Sequence, residues 1–302
     1  MGCRIAFAVA PVALMCVACS TTPNVAKPTA PTPVVPKLDS TAPPVARSWV
    51  LNRSGGSWRY RVESNATVML AGDSTAPSAP IHSIAMYTLG VDTAGSVGEF
   101  RVTGRVDSVV LVTGGRVPTR PPDSTVSTFT AQLDTASGLT NVAMGGDERP
   151  SCAGGVNPFV AAGLALFVSA PAHVQLGAVW HDSSSTTTCR GNVAVVSTLQ
   201  RTFQLADTAT WNGEAVLRVK VTSTSTIAGE GLASAAGDSI SVSGNGTSSG
   251  TMLIDPTSLM PVSSNTTGTL AITVHSRQTT LPFKQEVTQA VTLLEHRGAS
   301  EP

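Results

Sequence analysis

The stretch Leu217-Arg-Val-Lys-Val-Thr222 decides the fold class. In an extended chain successive side chains point to opposite faces, so Leu217, Val219 and Val221 share one face and Arg218, Lys220 and Thr222 the other. The pattern recurs along the chain. Trp58, Tyr60 and Val62 alternate with Arg59, Arg61 and Glu63. Phe100, Val102 and Val106 alternate with Glu99, Arg101, Thr103, Arg105 and Asp107, and Leu270, Ile272 and Val274 with Thr269, Thr273 and His275. Strands with one apolar and one wet face belong to antiparallel sheets, because buried parallel sheets are apolar on both sides. Turn residues punctuate the strands: Gly55-Gly56, Asp92-Thr-Ala-Gly95, Gly114-Gly115, Asn212-Gly213 and Gly244-Asn-Gly246.

Composition fits this reading. The 302 residues carry 19 Lys+Arg and 19 Asp+Glu, a formal net charge of zero, which argues against a polyanion partner such as nucleic acid. Charged residues are only 13%, while 33 Ser and 38 Thr make hydroxyls the main polar coating. Such a chain suits an extracytoplasmic β-protein, and it excludes a coiled coil or a multi-span helical membrane protein.

The two halves echo each other at offsets of 116–122 residues. Gly56-Ser-Trp58 matches Gly177-Ala-Val-Trp180. Tyr87-Thr-Leu89 followed by Glu99-Phe-Arg-Val102 matches Phe203-Gln-Leu205 followed by Val216-Leu-Arg-Val219. Phe129 to Leu139 matches Met252 to Met260. The expected fold is mainly β: two similar antiparallel meander units, curved sheets or half-barrels, over 47–146 and 176–297. Residues 147–175 connect them, and 298–302 form a tail. Within the connection, Pro158 to Ser169 is apolar and Ala-rich. Asn157 can cap it and Pro158 suits a first helical turn, so a twelve-residue core helix is expected.

The N-terminus reads as an address. Arg4 precedes an apolar stretch from Ile5 to Ala18, which is too short for a comfortable bilayer span and carries Pro11, so 1–18 is a secretory signal. Ala18-Cys19-Ser20 resembles a bacterial lipobox, although Cys16 stands where that family usually has Leu. The resemblance implies cleavage before Cys19, acylation (palmitate) of that cysteine, and a lipid anchor in the cell envelope. Ser20 rather than Asp resembles lipoproteins sent to the outer membrane. From 19 to 46 follows a tether with seven prolines, which fix φ and remove donors.

Cys152 and Cys189 remain after processing, and in an oxidising compartment they are expected to form a disulfide around the helix and the Trp180 strand. No catalytic thiol is expected, because neither has a nearby His with a supporting acid. The five His are scattered, so no metal site is expected, and no cofactor motif is present. Gly246-Thr-Ser-Ser-Gly250 matches G-x-S-x-G but lacks a strand–turn–helix context, and is expected in a hairpin loop. His181-Asp182-Ser183 is expected in a polar turn, not a triad. Trp58 and Trp180 fall on the apolar phase and are expected in the core.

Lipobox, Pro-rich tether, long meander and short apolar helix together are similar in layout to the half-barrel lipoprotein carriers (LolA/LolB-like). That resemblance implies binding of acyl chains or other apolar molecules in a concave sheet, without covalent chemistry. The candidate cavity residues are Phe100, Val102, Leu217, Val219, Leu270 and Ile272, with Phe159, Leu164 and Phe167 of the helix. The expected function is therefore a non-enzymatic envelope lipoprotein, its partners a membrane reached through Cys19 and a lipid or other apolar ligand. The alternative is a structural or protein-interaction module of the envelope, in which the same nine residues are a solid core. An outer-membrane barrel is disfavoured, because the exposed phase carries Arg and Glu and aromatic girdles are missing.

Overall fold

The computed structural model describes residues 7–8, 13–14, 48–51, 53–71, 79–94, 98–113, 127–134, 138–145, 152, 155–190, 192–232, 239–277 and 279–298. Cys19, the tether up to 47, nearly all of the signal segment and the tail beyond 298 lie outside them. Two short strands, β1 (Phe7–Ala8) and β2 (Ala13–Leu14), pair with each other.

The body is mainly β, as its alternation requires. Five strands form the first half: β4 (Gly56–Leu70), β5 (Ala79–Thr93), β6 (Glu99–Thr113), β7 (Thr128–Asp134) and β8 (Gly138–Met144). Six longer ones form the second: β10 (Val179–Arg190), β11 (Asn192–Trp211), β12 (Glu214–Leu232), β13 (Ser239–Ile254), β14 (Pro261–Ser276) and β15 (Thr280–Gly298). The halves are not separate sheets. β15 pairs antiparallel with β4, so all eleven strands form one sheet in the order β10-β11-β12-β13-β14-β15-β4-β5-β6-β7-β8. The sheet curls until its edge strands β8 and β10 approach each other without pairing. Before β10, β3 (Ser48–Val50) pairs with β9 (His173–Gln175) as a small second sheet.

One hairpin shows how local sequence sets register. Asn212 and Gly213 join β11 to β12 with φ of +50° and +86°, the left-handed pair a tight primed turn needs. Gly244-Asn-Gly246, expected as a turn, instead lies inside β13. Its glycines serve close approach, not reversal. A Cβ at Gly244 would press on the backbone of Ala271 and Ile272, and one at Gly246 on the Thr269 carbonyl and the Ser225 side chain.

The helix is shorter than the apolar run that announced it. α1 spans Pro158–Leu164, and Asn157 Oδ1 accepts the Phe159 amide at 2.8 Å, as a cap should. The chain leaves the helix because Arg201 claims the carbonyls beyond it, donating to Ala165 and Phe167 O, each at 2.7 Å. α1 lies against β5, β6 and β10 and fills the helix end of the barrel.

The buried phase of β12 and of β13 is apolar at both ends and small in the middle. Along β12 it reads Leu217, Val219, Val221, Ser223, Ser225, Ile227; along β13 it reads Ile240, Val242, Gly244, Gly246, Ser248, Gly250, Met252, Ile254. This break divides the core. At the helix end, α1 packs with Trp58, Tyr60, Tyr87 and Phe129, beside a cluster around Trp180, Phe203 and Leu205. At the far end, Val193, Val195, Ile240 and Ile272 form another, with Val68 and Ile81 in a smaller satellite. Trp58 and Trp180 are both buried, as their strand phase requires.

Candidate functional site

The small-residue break coincides with a cleft. Seven strands carry one continuous lateral register row: Asp182, Arg201, Ser223, Ser248, Gly268, Val287 and Ala66, each paired to the next. A cleft of about 1410 Å³ follows this row across the sheet. Its walls are the two register rows on either side. One runs His181, Thr202, Thr222, Ser249, Thr267, Thr288, Asn65, and the other runs Ser183, Gln200, Thr224, Thr247, Thr269, Glu286, Thr67. All of these except Thr202 and Thr67 are exposed. At a strand spacing of about 4.8 Å the walls run about 29 Å, and alternate residues of a strand set them about 7 Å apart.

The lining is neutral and hydroxyl-rich. The guanidinium of the middle row, Arg201, lies with Asp182 on the face opposite the wall side chains, joined to it through Nη2 to Oδ2 at 2.7 Å and Nε to Oδ1 at 2.8 Å, and the Ser169 amide also donates to Asp182. At the other end Glu286 pairs with Lys284 at 3.0 Å. The His181 ring is held by Thr202 Oγ1 at 2.9 Å, and Ser223 and Ser248 share a hydrogen bond of 2.7 Å. The hydroxyls of Thr222, Thr224, Thr247, Ser249, Thr267 and Thr269 bond to no other protein group among the described residues. Each keeps one donor and two acceptor positions.

The titratable groups with displaced values lie at the helix end, away from the cleft. Burial pushes both Tyr60 and Tyr87 well above the ordinary phenol range, with the Asp255 charge adding to the effect at Tyr60. Tyr60 donates to Pro261 O at 2.9 Å. Burial lowers the Arg53 guanidinium to about 10, where its Nη2 donates to Val168 O. Among the described residues no group of three or more His, Cys, Asp or Glu could hold a metal, and no helix is long and apolar enough to cross a membrane.

The residues singled out from sequence are placed as follows. Phe100, Val102, Leu164 and Phe167 are buried in the helix-end cluster, with Phe159 partly buried against it. Leu217 and Val219 belong to the Trp180 cluster, and Leu270 and Ile272 to the far-end cluster. The nine are therefore split among three packed clusters, and none lines the cleft. Cys152 and Cys189 are joined, with Cα atoms 5.6 Å apart, and Gly155 packs so close that a Cβ there would strike both sulfurs. Ser248 of the G-x-S-x-G run is in mid-strand in β13, not in a hairpin loop. His181, Asp182 and Ser183 lie in strand β10, not in a turn, because they pair with Thr202, Arg201 and Gln200. The alternation of phase puts Asp182 on the face opposite His181 and Ser183.

The sequence reading missed the cleft walls. The available signal was the exposed phase of β10 to β15, where Ser, Thr, Asn and Gln stand at alternate positions in place of the usual Lys and Glu.

No family model matches the chain, and no curated protein matches it. Among solved structures, it is similar to a Bacteroides fragilis NCTC 9343 protein described as exported and as having a YmcC-like fold. Identity is 11%, the match covers 83% of this chain and all of the other, and the TM-score is 0.25.

Proposed function

We propose that the protein is a non-enzymatic module of the bacterial envelope, held by acylated Cys19 on its Pro-rich tether, that works by surface interaction around a solid core. Of the two readings offered by the sequence, the packing favours this one over a carrier of apolar ligands. The carrying observation is the fate of the nine candidate cavity residues. Eight of them are buried among protein side chains, and the open cleft beside them is lined mostly by polar residues. An acyl chain gains from apolar walls; it gains little from hydroxyls that must surrender water.

Native mass spectrometry of the delipidated protein tests the reading. The expected spectrum shows the bare chain. A stoichiometric co-purified lipid, lost on Val219→Asp or Ile272→Asp, would restore the carrier reading. An extract labelled with palmitate tests the anchor: label should be incorporated and should disappear with Cys19→Ala.

A further inference from the structure

We propose that the transverse cleft binds an extended, neutral polyhydroxyl chain, a glycan, laid across strands β10 to β15 and β4. This deepens the surface-interaction reading above and rests on it. The cleft is a single trough crossing seven strands, not a bowl. Its repeat is the strand spacing of about 4.8 Å, close to the advance of one pyranose residue in an extended chain.

The wall chemistry selects the ligand class. Thr224, Thr247 and Thr269 stand side by side on adjacent strands in one register row, and none of their hydroxyls is spent on another protein group among the described residues. A hydroxyl can both donate and accept, which matches sugar hydroxyls that do the same. The charged side chain on the walls, Glu286, is paired with Lys284, and the Arg201–Asp182 pair lies on the opposite face of the sheet, so the trough offers no field for a polyanion. Its walls have no aromatic platform, so the energy must come from many modest hydrogen bonds repeated along the chain. Affinity should therefore grow with chain length and level off once the ligand spans the seven strands.

The test is affinity electrophoresis and calorimetry of the whole soluble chain with cello-, laminari- and malto-oligosaccharides of increasing length. Alginate and phosphatidylcholine vesicles serve as the charged and apolar comparisons. The expected result is binding to at least one neutral series, strengthening with length. The Thr224→Val/Thr247→Val/Thr269→Val variant should weaken it about tenfold or more, since valine keeps shape and strand preference but removes the bonds. If that variant does not fold, Gln200→Ala on the same wall should weaken binding about threefold without disturbing the core. Binding to none of the neutral series, equal binding by the variants, or preference for alginate or vesicles would each overturn the proposal. A bare mass spectrum together with no glycan binding would leave the solid-core reading standing and remove this one.

Discussion

Arg201 and Asp182 stand directly opposite each other across the β10–β11 ladder, and the guanidinium grips the carboxylate through two bonds while Nη1 and Nη2 also donate to the carbonyls of Ala165 and Phe167. Its carbon also lies 5.4 Å from the Phe203 ring centroid. One side chain thus neutralises a charge on the edge strand, ends α1 and fixes the segment that fills the barrel. Both partners are nearly buried, with side-chain exposures of 10% and 6%. Removing only the cation strands a desolvated carboxylate, so Arg201→Met should cost about 3–5 kcal/mol, read as a urea midpoint. Arg201→Leu together with Asp182→Leu should cost less than Arg201→Met alone. Equal losses would show that the helix carbonyls, not the charge pair, carry the effect.

The alkaline limit of stability follows from the two tyrosines, which are the only ones in the chain and are both fully buried. Their folded values are raised, so between pH 10 and those values the native state holds protons that the unfolded state has released. Stability is then intact below pH 10 and falls above it, by about 1.4 kcal/mol per pH unit for each tyrosine. Arg53, lowered to about 10, acts in the opposite sense, because its unfolded form still binds a proton there. Two groups against one leave a net loss. Tyrosinate absorbance at 295 nm should therefore stay flat past pH 10 and rise together with the loss of β-sheet circular dichroism. A smooth rise near pH 10 with the sheet intact would contradict the burial.

Gly104 faces Phe129 across the β6–β7 ladder, and a Cβ there would overlap the aromatic ring at its Cζ. Phe129 is 1% exposed and belongs to the helix-end core, so it has little room to retreat. Gly104→Ala should destabilise by about 1–3 kcal/mol through overpacking. Phe129→Leu alone should also destabilise, by leaving a void. Combined, the two changes should cost less than the sum of their separate effects, because the new methyl enters the space the ring vacates. Strict additivity in a denaturant series would mean that the two side chains do not share that space.

The fold was readable where the physics is local. Alternation in Trp58–Glu63 and Leu217–Thr222 predicts half-buried antiparallel strands, and those residues lie in β4 and β12. Asn212-Gly213 announces its own turn. What the sequence could not carry is the β15–β4 pairing, a contact between strands more than 200 residues apart that merges two units into one sheet. The helix end was misjudged for a similar reason: its stop signal is the Arg201 guanidinium, 36 residues away, not a local Gly or Pro. Gly244 and Gly246 look like turn residues, yet the neighbouring backbone is what demands them. The cleft was hidden because each Thr is an ordinary strand residue, and only register places seven strands' hydroxyls in rows.

The disulfide offers a last prediction. Cys152 and Cys189 are 37 residues apart and enclose α1, β9 and nearly all of β10. In the chain-entropy account, closing a loop of that size restricts the unfolded state by about 4 kcal/mol. For a body of this size that corresponds to roughly 8–16 °C in melting temperature. Reduction by dithiothreitol and the Cys152→Ser/Cys189→Ser variant should lower the midpoint by similar amounts, since both act mainly on the unfolded chain. The native sheet signal at 25 °C should be unchanged, because β11 to β15 and β4 to β6 pair without help from the bridge. A midpoint that does not move after thiol titration confirms reduction would mean that the segment from 152 to 189 is already restricted in the unfolded state.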